Sequence, residues 1–346
     1  MSIVSSLCEA ADSVAGSPTL RFQKIFVTGG HGFIGSVVVQ HLRSAGHEVR
    51  CLVRPSSNTQ RIDHLSIDRI VGDVRDPASL RKGLQGQDAI IHLAGLSSWD
   101  LIDSPDMRET IEQGTANVLK AARDVGGVRV VFVSSVLAIG STDKPQSFDE
   151  THPYRLYAEK QLAHSHFKRR AEELCYAAVS EGVDAVIVNP TEVYGPNDVG
   201  LITASNLVDF AKSNPVLVCN GGTSIVHTED VARGIIAALE RGRAGERYIL
   251  GGENITHRQL AELFLEFSGQ NKRIVVVPNT VLRSVTLIAQ ALRVPLPYNP
   301  RVVPYATRYF WVDSSKATRD LGITFRSARE TLAPTIAWLK STGLIS

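Results

Sequence analysis

A chain of 346 residues, 43% hydrophobic and 21% charged, is long enough to bury the core of one large α/β unit and to carry a smaller lobe beside it. Its 37 Lys and Arg against 35 Asp and Glu leave a formal charge of +2, and no basic tract is dense enough to track a phosphate backbone, which argues against a nucleic-acid partner. The four cysteines, Cys8, Cys51, Cys175 and Cys219, show neither CxxC pairing nor zinc-ligand spacing, so free structural thiols, no metal and a cytoplasmic location are expected.

Residues 1–21 contain Glu9 and Asp12 and have neither a positively charged start nor a long apolar run, so a flexible tail is expected rather than a signal peptide. Short apolar runs at 24–27, 49–53, 69–71, 89–93, 128–133, 185–188 and 248–250 are mostly rich in Val and Ile and bounded by Gly, Pro, Asp or Asn. That is the pattern of parallel strands buried on both faces. Helical patterns at 35–45, 111–124 and 163–181 alternate with them, which predicts a doubly wound, Rossmann-type α/β sheet. After Asn189 and Pro190 the pattern changes to helices and loops at 201–213, 227–241, 256–269, 279–293, 314–321 and 328–341. The expected partition is a dinucleotide-binding domain over 22–190, with 226–252 returning to it, and a substrate-binding lobe from 191–225 and 253–346. The stretch 280–296 is apolar enough for a lipid-facing surface but too short to span a bilayer; a buried helix lining a substrate pocket is the expectation carried forward.

Gly29, Gly32 and Gly35 follow the first predicted strand and, with Phe33 and Ile34, open the first predicted helix. At that spacing glycines supply a tight turn, close backbone approach to a pyrophosphate and close helix packing. The second strand ends in Val53-Arg54 instead of the acid that would repel a 2′-phosphate, and Ser56, Ser57 and Asn58 follow. This favours NADP(H), with NAD(H) as the alternative. Asp73, followed by Val74, is placed to meet the adenine, and Leu93-Ala94-Gly95 forms a small-residue strand end that can run beneath the cofactor.

Together, TGGHGFIG at 28–35, GD at 72–73, HLAG at 92–95, SSVLAIG at 134–140, NPTEVYGP at 189–196, VHTEDVA at 226–232 and GERYILGGEN at 245–254 resemble the extended short-chain dehydrogenase/reductase superfamily, the NAD-dependent epimerase/dehydratase family. The resemblance is strongest to the branch of dihydroflavonol-reductase-like enzymes and hopanoid-associated sugar epimerases and covers nearly all of 22–342. It implies a nicotinamide-dependent enzyme acting on a hydroxyl or ketone of a small molecule, with cofactor contacts from Asn189 and Pro190 and pairing as a homodimer. It also implies a catalytic Asn, Ser, Tyr and Lys. Ser135 falls on the serine that bonds the substrate oxygen, and Lys168 on the lysine that holds the nicotinamide ribose. The tyrosine position holds His164 and the asparagine position holds Ile111.

Residues i and i+4 share a helix face, so His164 and Lys168 retain the geometry of the usual pair, with His166 and Phe167 turned elsewhere. An imidazole beside an ammonium is pushed toward its neutral form, a better base than acid. It is also shorter than a phenol by on the order of 1–2 Å. Three readings stay open: His164 as acid/base in a redox reaction, a non-redox lyase or epimerase, or an impaired NADP(H)-binding regulatory protein. Tyr154, Tyr157 and Tyr176 are the alternative sources of the missing hydroxyl, Tyr157 being the best placed. Substrate contacts are expected from Leu96 to Trp99, from Ser135 to Ile139, from Thr191 to Tyr194 and around Val226 and His227; Arg301 and Arg308 are candidate ligands for a diphosphate.

Overall fold

The computed structural model describes residues 22–95, 98–156, 162–296 and 298–346, so the expected tail, Leu96, Ser97 and Tyr157 lie outside the described residues. The strands are β1 (Lys24–Thr28), β2 (Glu48–Val53), β3 (Asp68–Val71), β4 (Ala89–His92), β5 (Arg129–Val133), β6 (Ala185–Pro190) and β7 (Glu192–Tyr194), followed by β8 (Val216–Cys219), β9 (Gly222–His227), β10 (Arg247–Leu250), β11 (Glu253–Thr256), β12 (Ile274–Val277) and β13 (Tyr309–Phe310). The helices are α1 (Phe33–Ser44), α2 (Pro77–Leu84), α3 (Pro105–Arg108), α4 (Gly114–Val125), α5 (Ala163–Ser180), α6 (Ser205–Lys212), α7 (Thr228–Arg241), α8 (His257–Ser268), α9 (Asn279–Leu292), α10 (Val303–Ala306), α11 (Ser315–Leu321) and α12 (Ala328–Ser341).

Seven strands form one sheet in the order β3-β2-β1-β4-β5-β6-β10, every neighbouring pair parallel. The expected doubly wound sheet is therefore present. Its apolar strands feed two cores. Phe26, Ile90 and Phe132 pack with α2, α4 and α5 on one face, while Ile25, Val27, Val131 and Val188 pack with α1 and α7 on the other. The strand order reverses between β1 and β4, so a crevice opens beyond their carboxyl ends, at Gly29 and at Leu93 to Gly95.

Beyond Pro190 the chain builds more than helices and loops. β9 carries β11 on one side and β13 on the other and also pairs with β7, while β8 and β12 form a two-stranded sheet. These strands are two to six residues long. Their partners lie far along the chain, as in the register of Phe310 with Thr223, so no local pattern announces them.

Two helices differ from expectation. The helix expected from 111 begins earlier, as a π-helical turn at Glu109–Gln113 that leads into α4. The helix over 279–293 is present, but the expectation that it is buried is corrected: Thr286 and Ala289 are its buried residues, and Leu287, Ile288 and Leu292 are 59%, 59% and 70% exposed. Its small face packs inward, where Thr286 Oγ1 bonds the Leu282 carbonyl at 2.7 Å and the Tyr298 hydroxyl at 2.9 Å. No helix among the described residues is long and apolar enough to cross a membrane.

Candidate active site

Gly29 takes φ +73°, and a Cβ there would lie 2.8 Å from the Ala94 nitrogen. A Cβ on Gly35 would lie 2.2 Å from the Gly29 carbonyl oxygen. The turn closes with Gly32 N donating to Gly29 O at 3.0 Å, and Gly32 caps α1 with no side chain, so the first backbone N–H groups of the helix face an open crevice. Phe33 is buried and Ile34 half-buried beneath it. This backbone cradle fits a pyrophosphate: it offers donors and a helix N-terminus without a side chain in the way. Leu93 N donates to Thr28 O at 3.0 Å and Ala94 N to Thr28 Oγ1 at 3.3 Å, which fixes the strand end through Gly95 under the same crevice.

Arg54 is exposed just past β2, and no ion pair holds its guanidinium among the described residues. Its charge, after burial, helps lower the pKa of His31, as does that of Arg61, and it also helps lower that of Asp73. The Asp73 carboxylate is held by Arg75 at 2.9 and 3.1 Å, and this contact is the largest cause of its lowered pKa. Val74 is buried, and its carbonyl accepts from Asn117 Nδ2 at 3.0 Å.

On α5, Lys168 is buried and its Nζ donates to the Val133 carbonyl at 3.0 Å, 5.3 Å from the Phe132 ring centre. A Cβ on Gly95 would lie 3.9 Å from the same nitrogen, so the lysine head stands over the small-residue strand end. Burial lowers its pKa to about 8 against the opposing pull of Glu172. One turn earlier, His164 is half-buried, and burial together with the Lys168 charge lowers its pKa to about 3. The ring is therefore neutral at physiological pH. Ser135 follows β5 and accepts from Leu137 N at 3.2 Å, capping the short 3-10 turn Val136–Ala138 that packs on α5. The structure thus gathers Ser135, His164 and Lys168 where β5 meets α5.

Two buried polar systems hold this junction. Asn189 Nδ2 donates to the Ser135 carbonyl at 2.9 Å and to Glu172 Oε1 at 2.5 Å, while Arg247 Nη1 donates to Glu172 Oε2 at 3.1 Å. The Asn189 amide nitrogen, expected at the cofactor, is thus engaged by the protein while its Oδ1 has no partner among the described residues, and Pro190 closes β6 beside it. In the second system, His92 Nδ1 meets Thr28 Oγ1 at 2.7 Å, Nε2 meets Thr115 Oγ1 at 3.2 Å, and the ring stacks on Phe132. Burial, then the Lys168 charge, lowers the His92 pKa to about 3. The unfolded imidazole titrates near about 6.5, so the unfolded chain binds more protons below that pH, and each such histidine removes about 1.4 kcal/mol per pH unit as pH falls from 6.5 toward 3. Urea midpoints at about pH 5 and 7 are expected to differ less in His92→Gln than in the parent protein.

Ile111 is buried in the π turn, so the position expected to hold asparagine offers no polar group. Of the alternative tyrosines, Tyr154 and Tyr176 lie within the described residues. Tyr154 OH meets His166 Nδ1 at 2.8 Å, and Tyr176 is half-buried near Glu172, with burial raising its pKa to about 12. A hydroxyl the sequence did not suggest faces the start of α5. Tyr305, in α10, is buried with its OH facing Ser165 and the first N–H groups of α5, without a well-formed hydrogen bond among the described residues; burial raises its pKa. It packs edge-on against Trp99 at 5.4 Å. Nothing local marks Tyr305, because the contact is made only by the fold.

Several expected substrate groups hold the scaffold instead. Tyr194 OH donates to Glu192 Oε1 at 2.7 Å, and His227 Nδ1 accepts from Glu229 N at 3.2 Å with Arg326 Nη1 at 3.0 Å. Arg301 pairs with Asp103 at 3.4 Å and Arg308 with Asp143 at 3.1 Å. Cys51, Cys175 and Cys219 are buried free thiols, and Cys8 lies outside the described residues. Among the described residues, no three His, Cys, Asp or Glu side chains gather as a metal site.

Residues 25–251 match the NAD dependent epimerase/dehydratase family. The chain is 32% identical to a putative dihydroflavonol 4-reductase of Synechocystis sp., covering 92% of this chain and 95% of that protein. It is 28% identical to sterol demethylase protein B of Methylococcus capsulatus, covering 92% and 99%. Among solved structures it superposes on DesIV, a dTDP-glucose 4,6-dehydratase from Streptomyces venezuelae with NAD and TYD bound, with a TM-score of 0.75 and 26% identity over 94% of this chain and 99% of that one. A match of that extent, on a parallel sheet with a glycine cradle at its switch point, shows that the chain belongs to the NAD dependent epimerase/dehydratase family and is a pyridine-dinucleotide-dependent enzyme.

Proposed function

We propose that the protein is an oxidoreductase acting on a hydroxyl or carbonyl of a small organic substrate, that it prefers NADP(H), and that His164 takes the role usually given to tyrosine. The observation that carries this reading is the placement of His164 one turn from buried Lys168, where α5 meets Ser135. When bound, the dinucleotide supplies hydride transfer. Gly29, Gly32, Phe33, Ile34 and Gly35 hold its pyrophosphate, Asp73 and Val74 border the adenine, and Leu93 to Gly95, Asn189 and Pro190 line its path. Lys168 holds the ribose hydroxyls, Ser135 fixes the substrate oxygen, and the neutral His164 ring accepts the substrate hydroxyl proton as the carbonyl forms. In the reverse direction the imidazolium returns that proton.

Arg54 supports the cofactor preference, since an unpaired guanidinium at the end of β2 complements a 2′-phosphate; NAD(H) fits the same cradle without that ion pair. In this reading residues 22–190 with 226–252 hold the dinucleotide, 191–225 and 253–346 hold the substrate, and the enzyme works in the cytoplasm. Because a neutral imidazole is foremost a base, epimerisation or elimination on the same scaffold is the second reading.

NADP(H) turnover with a panel of alcohols and ketones tests both. His164→Ala is expected to lower kcat about 10²- to 10⁴-fold while dinucleotide affinity stays within about twofold. An alanine protein with full activity would overturn the assignment. Substrate conversion with no net change in NADPH would favour the second reading.

A further inference from the structure

We propose that the outer face of α9 docks on an anionic phospholipid surface. On a helical projection at 3.6 residues per turn, Val281, Ser284, Val285, Leu287, Ile288, Ala291 and Leu292 fall on one arc, and all of them are exposed. The amphipathicity is inverted: the apolar arc faces out while Thr286 and Ala289 pack inward. The apolar surface continues beyond the helix. Val294 follows it, and Leu217 and Val275, paired in register across β8 and β12, are both exposed, with β12 leading into α9. The Asn279 side chain bonds Asn220 N at 3.0 Å and Asn220 O at 2.7 Å, tying the start of α9 to the end of β8. Exposed apolar area on this scale, grouped on one side, marks an interaction surface.

Charge identifies the occupant. Residues 267–312 contain Lys272, Arg273, Arg283, Arg293, Arg301 and Arg308 and no Asp or Glu, so the remainder of the chain, with 31 basic residues against 35 acidic, is net acidic. Arg301 and Arg308 are neutralised by Asp103 and Asp143. Arg273, Arg283 and Arg293 are exposed and have no acidic partner among the described residues; Arg283 donates only to the Thr307 hydroxyl, at 2.7 and 3.0 Å. Arg283 lies on α9 at the edge of the apolar arc, Arg293 is the C-cap of that helix, and Arg273 precedes β12. A second copy related by a two-fold axis would set this positive rim against itself. A bilayer surface bearing anionic headgroups accepts both the apolar crest and the arginines. The same segment runs through Tyr298 to α10 and its C-cap Thr307, and Tyr305 of α10 touches Trp99 and faces the first turn of α5, so the segment adjoins the candidate active site.

Flotation of the full-length protein with phosphatidylcholine vesicles, with and without phosphatidylglycerol, tests this. The protein is expected to float with the mixed vesicles, to stay unbound with phosphatidylcholine alone, and to be released by high salt. Each of Arg273→Gln, Arg283→Gln and Arg293→Gln is expected to weaken binding about fivefold, and the three together about a hundredfold. Ile288→Glu with Leu292→Glu is expected to abolish it with the melting temperature unchanged, since both side chains are exposed. Absence of binding to anionic vesicles overturns the proposal, as does binding that survives both variants. A dimer in sedimentation that Ile288→Glu dissociates, without vesicle binding, overturns it in favour of a second copy of the chain.

Discussion

Glu172→Ala is expected to lower folding stability by about 3–5 kcal/mol, the range for removing one partner of a buried charge pair. The Glu172 side chain has no exposed surface and the Arg247 side chain is only 11% exposed, so neither finds water when the other is lost. Arg247 keeps Nε on the Glu150 carbonyl at 3.0 Å but loses its anionic partner. Asn189 loses the acceptor at 2.5 Å that positions its amide under Ser135. Lys168 loses the carboxylate that opposes the effect of burial, so its pKa falls further below about 8 and less of its ammonium survives at neutral pH. Glu172→Gln keeps an oxygen for Asn189 but loses the charge, and is expected to fall between the parent and the alanine protein. Urea unfolding at constant pH reads this as a lower midpoint with an unchanged slope. A loss below about 1 kcal/mol would show that this bridge does not hold the β5, β6 and α5 junction together.

Gly35→Ala is expected to remove most dinucleotide binding and to cost about 1–3 kcal/mol of stability. The obstacle is space, because the new methyl would stand 2.2 Å from the Gly29 oxygen and 2.9 Å from the Gly30 Cα, and both are backbone. Either α1 moves away from the loop or the loop leaves the crevice, and in both cases the open N–H groups no longer converge on one anion. Every 1.4 kcal/mol lost from that convergence is about tenfold in affinity, so a weakening of at least tenfold is expected in a fluorescence titration with NADPH. Gly200→Ala is the control, because a Cβ there meets only Ile202 carbons at 3.6 and 3.9 Å. Equal NADPH affinity in the two variants would show that the pyrophosphate lies elsewhere.

Much of the candidate site was legible because its signals are local. The spacing of Gly29, Gly32 and Gly35 after a β-branched run specifies a turn and a helix start within eight residues, and the structure builds both there. His164 and Lys168 lie one turn apart on a single helix, so their shared face follows from helix geometry alone. Tyr305 was not legible, because its approach to α5 depends on how the chain returns after α9. The strands β7, β9, β11 and β13 were hidden for the same reason: each is stabilised by a partner distant in sequence.

The sequence by itself determined the parallel α/β core, the glycine turn at the end of its first strand, and an imidazole one helical turn before a lysine. Only the tertiary structure decided that Glu172 joins Asn189 to Arg247, that Tyr305 closes on the start of α5, and that the apolar stripe of α9 points outward. Periodicity fixes which residues share a face, because backbone geometry repeats every few residues. Which face is then covered depends on elements brought together from distant parts of the chain, and hydrophobic burial is indifferent to where in the sequence the covering surface originates.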